Sequence, residues 1–125
     1  MYAVTVRRDF IAQHFLTVPN PGPEGELHSH HFEVEVELAG PSLNEYGYLV
    51  DIDQVNGVLD EIESRYRDAT LNELPEFEGR NPSVEHFARI IAGRFDDGID
   101  TDPIDTIAVT VWEDQTAAAT YTHDS

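Results

Sequence analysis

The segment Leu27-His28-Ser29-His30-His31-Phe32-Glu33-Val34-Glu35-Val36-Glu37-Leu38 admits few conformations. From Phe32 onward apolar and acidic residues alternate strictly, the pattern of a strand with one buried face and one wet face. Side chains two apart share a face of a strand. His28 and His30 therefore stand with Phe32, Val34, Val36 and Leu38, while His31, Glu33, Glu35 and Glu37 point the other way. A lone charged group at the end of an apolar stripe is costly to bury. A metal ion would use the lone pairs of both imidazoles at once.

The remaining chain supplies partners for this strand. Tyr2, Val4 and Val6 alternate with Ala3, Thr5 and Arg7, predicting a first strand that continues toward Phe10 and His14. Val18 to Gly25 is rich in Pro and Gly and forms a loop. Asp51 is placed to cap a helix with Gln54 as its capping-box partner, and Ile52, Val55, Leu59, Ile62 and Tyr66 make its apolar face. Thr70 to Arg80 is irregular. Ser83 caps a second helix whose buried face is Val84, Phe87, Ala88, Ile91, Ala92 and Phe95, followed by a loop from Asp96 to Pro103. Ile107, Val109 and Val111 mark a third strand, and Ala117 to Thr122 a shorter fourth. The order predicts an α+β domain: a four-stranded antiparallel sheet with two helices inserted between strands 2 and 3 and covering one face.

Composition narrows the partners. The 125 residues make one domain, 1–125, large enough for a real core. Asp and Glu number 25 against seven basic residues, all arginine. Such charge disfavours nucleic acid and anionic membranes. An acid-rich surface without lysine is expected of a protein from a very salty cytoplasm, where at ~1 M salt the screening length is about 3 Å. No apolar run is long enough to span a bilayer and no signal-peptide pattern opens the chain, so a cytoplasmic location is expected. Cysteine is absent, so any metal must be held by His and carboxylates.

From the residues alone two readings of the His pair stand, metal ligands or hydrogen-bonded histidines. His14, with the parity of Val4 and Val6, is the candidate third ligand, and catalytic zinc commonly takes three protein ligands and keeps an open position. His31 faces outward, His86 reads as structural or exposed, and His123 is open to either use. Glu113 continues the parity of Ile107, Val109 and Val111. It is either a strand end reaching solvent or a bidentate acceptor for adjacent N–H groups of a planar heterocycle, and periodicity favours the first. Glu24 and Glu26 precede the His pair in a loop, where a carboxylate could serve as general base.

With these pieces in place the chain resembles the 6-pyruvoyltetrahydropterin synthase and 6-carboxytetrahydropterin synthase family, colinearly from about Phe10 to Tyr121. Phe10-Ile11-Ala12-Gln13-His14 is similar to the family's first zinc motif, and Leu27-His28-Ser29-His30-His31-Phe32 to its Leu-His-Gly-His-x-Tyr/Phe motif. Gly47 to Ile52, Leu71-Asn72, Asn81-Pro82-Ser83-Val84-Glu85 and Val109-Thr110-Val111-Trp112-Glu113 occupy the other family blocks. The resemblance implies a tunnelling fold in which sheets from several subunits form a barrel, commonly a hexamer of two trimers with sites between subunits. It implies that His14, His28 and His30 hold zinc, that Glu113 anchors a pterin ring, and that the substrate is 7,8-dihydroneopterin triphosphate.

The departures are specific. Family enzymes place a catalytic cysteine four residues before the first His of the pair, where this chain has Glu24. They carry an Asp-His pair before the Leu-Asn block, where this chain has Arg67-Asp68-Ala69-Thr70. One branch of the family has glutamate at the cysteine position and releases 6-hydroxymethyl-7,8-dihydropterin. Glu24 fits that branch, Glu26 is the fallback, and Asp68 or His123 could replace the missing pair. A 6-carboxy product would lead toward deazaguanine-modified tRNA nucleosides. The competing expectations are a pterin- or metal-binding module without turnover, and a closed structural zinc site in an unrelated sandwich. The triphosphate poses an electrostatic problem that Arg7, Arg8 or Arg80, or high salt, would have to solve.

Overall fold

Strands β1 (Tyr2–His14) and β2 (His28–Gly40) pair antiparallel along their whole length in the computed structural model, which describes residues 1–125. The register runs from Tyr2 opposite Gly40 to His14 opposite His28 without a bulge. Helices α1 (Ile52–Tyr66) and α2 (Val84–Gly98) follow, then strands β3 (Thr106–Trp112) and β4 (Ala118–Asp124). The sheet order is β1-β2-β3-β4, every pair antiparallel. This is the α+β tunnelling-fold topology, with β1 and β4 as its two edges.

The inner sheet face is the apolar stripe of the sequence. Phe10 and Ala12, Phe32 to Leu38 at alternate positions, and Ile107, Val109 and Val111 are all buried. α1 packs on β1 and α2, and α2 packs on β3 and β4. The buried face of α2 is Phe87, Ala88, Ile91, Ala92 and Phe95, and Ser83 Oγ accepts from the His86 amide at 3.2 Å as its cap. At the far end of β2, a Cβ on Gly40 would overlap the Pro103 carbonyl oxygen, so the sheet closes on that loop only with glycine there.

Three local expectations are corrected. Ile52 is 43% exposed and Val58 is buried in its place, because α1 turns its first residue away from the sheet. Asp51 caps α1 through the Asp53 amide, but Gln54 does not close a capping box; its Oε1 accepts from the Asp100 amide at 3.1 Å. Asp96 and Asp97 lie in the last turn of α2 rather than in a loop, since the helix continues until Gly98 meets Val58. Residues 70–80 are irregular as expected, and anchored by short 3-10 turns at Leu71–Glu73 and Pro75–Phe77 that bury Leu71 and Phe77.

One polar hub ties these turns to both helices. Glu76 accepts from Arg65 at 2.7 and 2.6 Å, from the Tyr66 hydroxyl at 2.6 Å and from Arg94 at 3.1 Å. The Arg65 hydrogen bonds hold its carboxyl well below the usual carboxylate range, and burial pushes the Tyr66 hydroxyl up to about 12. An exposed ion pair contributes ~0–1 kcal/mol, and breaking a buried one costs about 3–5 kcal/mol. Glu76 lies between these limits, so Glu76→Ala is expected to lower unfolding free energy by about 2–3 kcal/mol in urea titrations. The sign with pH follows from the lowered pKa: the contribution is complete above the unfolded carboxyl value and is lost only in strong acid.

Candidate metal centre

Register brings the three histidines together. His14 stands opposite His28, and His30 is the next residue on the same face of β2. The His14–His28, His14–His30 and His28–His30 ring centroids lie 4.6, 5.0 and 4.7 Å apart. Below them Phe32 packs edge-on to His14 at 5.8 Å. The site is therefore the open end of the apolar stripe.

Backbone carbonyls orient two of the rings. Nδ1 of His14 is 2.9 Å from the Pro82 carbonyl oxygen, and Nδ1 of His28 is 2.8 Å from that of Glu26. A carbonyl only accepts, so each Nδ1 carries the proton and Nε2 keeps a free lone pair. Nε2 of His14, His28 and His30 are all shielded from solvent and lack a hydrogen-bond partner. Buried polar atoms are ordinarily satisfied, and three partnerless imidazole nitrogens at one point are what a metal ion would satisfy. The residues fit such an ion.

Glu113 completes the cluster. Its Oε1 lies 2.9 Å from His30 Nε2 and 3.9 Å from His14 Nε2. One donor atom from each of His14, His28, His30 and Glu113 falls within 4.8 Å of all the others. Burial lowers the His14 pKa, helped by the neighbouring His28 and His30; the bond to Pro82 and the Glu24 charge oppose it. The net effect keeps His14 neutral and ready to donate its lone pair.

The other candidates lie outside this donor set. Glu24 sits in the exposed 3-10 turn Gly22–Gly25, whose backbone is tied to the segment just after β1 by Leu16 N to Glu24 O at 2.8 Å. Its charge is felt at His14, but its carboxylate is not among the clustered ligand atoms. Glu26 serves through its backbone carbonyl, with its side chain exposed. Asp68 is exposed at a left-handed turn (φ +59°), in a surface recess with Arg8 and Asp60, and does not join the histidines. His123 pairs with Asp96 at 3.3 Å and stands opposite Ile107, at the far end of β3 from Glu113. His31 bonds Asp9 at 2.6 Å on the outer face, and His86 is outside the cluster. Arg7 is engaged by Glu33 and Glu35, and Arg8 by Asp60 and Glu63.

Two kinds of supporting residue have no role that the sequence assigns. The carbonyls of Pro82 and Glu26 carry no side-chain signal. Asn72 and Asn81 hold the chain just beyond His14: Asn72 bonds both the amide and the carbonyl of Phe15, at 3.0 and 2.9 Å, and Asn81 accepts from the Thr17 amide at 2.9 Å. The sequence marks them only as members of the Leu71-Asn72 and Asn81-Pro82 blocks, with no role attached.

A four-stranded antiparallel sheet backed by two helices, with three strand histidines and a carboxylate at one end, defines a tunnelling-fold domain with a candidate metal centre. A family model described as 6-pyruvoyl tetrahydropterin synthase matches residues 3–124, and the chain belongs to that family. Among solved structures it is similar to Plasmodium vivax 6-pyruvoyltetrahydropterin synthase carrying a glutamate-to-alanine catalytic residue mutation. That match has 17% identity over 99% of this chain and 98% of that one, with a TM-score of 0.81. It is likewise similar to Caenorhabditis elegans 6-pyruvoyl tetrahydropterin synthase, at 16% identity, 99% and 98% coverage and a TM-score of 0.81. At these identities the structural likeness establishes the fold. No curated protein gives a significant match to the chain.

Proposed function

We propose that the protein is a zinc-dependent lyase acting on the side chain of 7,8-dihydroneopterin triphosphate or a close relative. The observation that carries this reading is the convergence of three solvent-shielded, partnerless Nε2 atoms in a member of this family. His14, His28 and His30 would hold the zinc, which when bound acidifies a substrate hydroxyl and stabilises developing negative charge. Glu113 would accept hydrogen bonds from the ring N–H groups of the pterin, a geometry suited to a carboxylate. A surface recess bordered by His30, Trp112 and Gln115 adjoins Glu113.

Glu24 is the proposed base, which points to the 6-hydroxymethyl-dihydropterin branch. In its support, catalytic-residue mutants of the Plasmodium vivax enzyme replace a glutamate. Asp68 lies in a different recess of the protomer and could act only on a site formed with a neighbouring subunit. Open edges at β1 and β4 support a homo-oligomeric barrel, a trimer or hexamer, since an unpaired edge strand is a template for another chain. No helix is long and apolar enough to cross a membrane, in keeping with a cytoplasmic enzyme.

A second reading is favoured by one observation: the cysteine and the Asp-His pair of the family are replaced by Glu24 and by Arg67-Asp68-Ala69-Thr70. It is a zinc- and pterin-binding homologue without turnover. Zinc-loaded protein incubated at molar salt with 7,8-dihydroneopterin triphosphate separates the two by mass spectrometry of the products. A 6-hydroxymethyl product that disappears in Glu24→Gln is the expected result. A 6-carboxy or 6-pyruvoyl product would assign the base elsewhere, and intact substrate beside stoichiometric zinc would leave the binding homologue.

A further inference from the structure

Glu113 brings a carboxylate oxygen to the point where the three imidazoles converge, within 4.8 Å of a nitrogen of each. Bonds of ~2.0–2.2 Å to nitrogen and oxygen in a tetrahedral centre put the donor atoms roughly 3.3–3.5 Å from one another. The Glu113 Oε1 distances, 2.9 Å to His30 Nε2 and 3.9 Å to His14 Nε2, bracket that edge. The shorter contact lacks hydrogen-bond alignment, since His30 Nε2 has no partner.

The hairpin accounts for the placement. Trp112, the last residue of β3, pairs with Ala118, and the Glu113 amide donates to the Ala117 carbonyl at 3.2 Å. Asp114 closes the turn, accepting from the Thr116 and Ala117 amides at 2.7 and 3.0 Å. A carboxylate delivered from so constrained a turn is held on the inner face, beside the imidazoles. The chain has no cysteine, so imidazole and carboxylate are its strongest ligands.

We infer that Glu113 is the fourth metal ligand of the substrate-free protein, closing a sphere of three imidazoles and one carboxylate. A substrate then reaches the metal only by drawing this carboxylate away. That consequence rests on the pterin reading above, in which the ring N–H groups are what draw it.

Cobalt(II) reports the coordination sphere by its visible absorption, and competition with a chelator reports affinity. Wild-type cobalt protein is expected to give a four-coordinate spectrum that azide does not change. Glu113→Ala and Glu113→Gln are expected to bind cobalt more than about 100-fold more weakly, beyond the roughly 10–100-fold that loss of a partner behind a ligand costs, and to admit azide. Melting curves of the metal-free proteins check the fold, and the near-isosteric Gln variant carries the comparison if the Ala variant melts early. Unchanged cobalt affinity in the variants, or azide binding to wild type as readily as to Glu113→Ala, overturns the ligand. A wild type that takes up no cobalt overturns the metal centre as well. Pterin itself, a ring without side-chain hydroxyls, is then added to wild-type cobalt protein and its binding followed by the fluorescence of Trp112, the single tryptophan. Bound pterin is expected to let azide in. Pterin that binds without doing so overturns the displacement alone. Pterin that does not bind takes the displacement and the pterin reading down together, while the ligand stands on the cobalt result.

Discussion

His28→Ala is expected to weaken metal binding by more than about 100-fold while leaving the fold intact. Loss of a partner behind a ligand already costs about 10–100-fold, and His28 is placed as a ligand itself. Its side chain is half-buried at the start of β2, clear of the aromatic core, so truncation removes a donor without opening a cavity. His14→Ala is the less clean variant, because that ring is 1% exposed and packs on Phe32. Chelator competition at neutral pH measures the loss.

Acid acts on the same lone pairs, since protons compete with a metal for imidazole. Burial holds the His14 pKa below its ordinary value of about 6.5. The unfolded chain therefore takes up this proton at higher pH than the folded chain does. Stability of the metal-free protein attributable to His14 is full above the unfolded value, falls as the pH drops from about 6.5 to the folded value, and is constant below both. Melting temperatures of wild type and His14→Gln across that window give the slope as their difference. A difference that grew on acidification in favour of wild type would sink this account.

Phe32→Ala is expected to cost about 3–5 kcal/mol, the range for deleting a buried phenylalanine. Phe32 is fully buried, with its ring centroid 6.4 Å from Phe10 and 5.5 Å from Phe87. On its other side are His14 at 5.8 Å and His30 at 5.6 Å. A loss of this size is a large share of the roughly 5–15 kcal/mol that stabilises a typical domain. The same cavity releases two ligand rings, so metal affinity should fall with stability although Phe32 has no donor atom. Saturating metal should restore part of the loss, about 2.7 kcal/mol at a hundredfold excess over Kd. Urea titrations with and without metal test both halves. An unchanged midpoint would mean that the aromatic layer does not support the site.

Much of this molecule is legible locally. Alternation alone marks β2, puts His28 and His30 on its inner face, and gives His14 and Glu113 the inward parity they have in the structure. Helical spacing marks five residues of the buried face of α2, and Ser83 marks its start. These features depend on the fixed periods of strand and helix, which neighbours in sequence reveal. The ends of elements were less legible: Ile52, Gln54 and the last turn of α2 each took their state from a distant partner or from solvent, not from the adjoining residues.

The site divides along the same line. The sequence by itself determined which side chains face inward, because parity is a property of one strand. Only the tertiary structure decided that His14 lies opposite His28, that the carbonyls of Pro82 and Glu26 turn two imidazoles by their Nδ1 protons, and that Glu113 meets the histidines while Asp68 and His123 do not. Register between strands and the position of a loop carbonyl are set by packing across many residues, and neither leaves a mark on the residue that uses it.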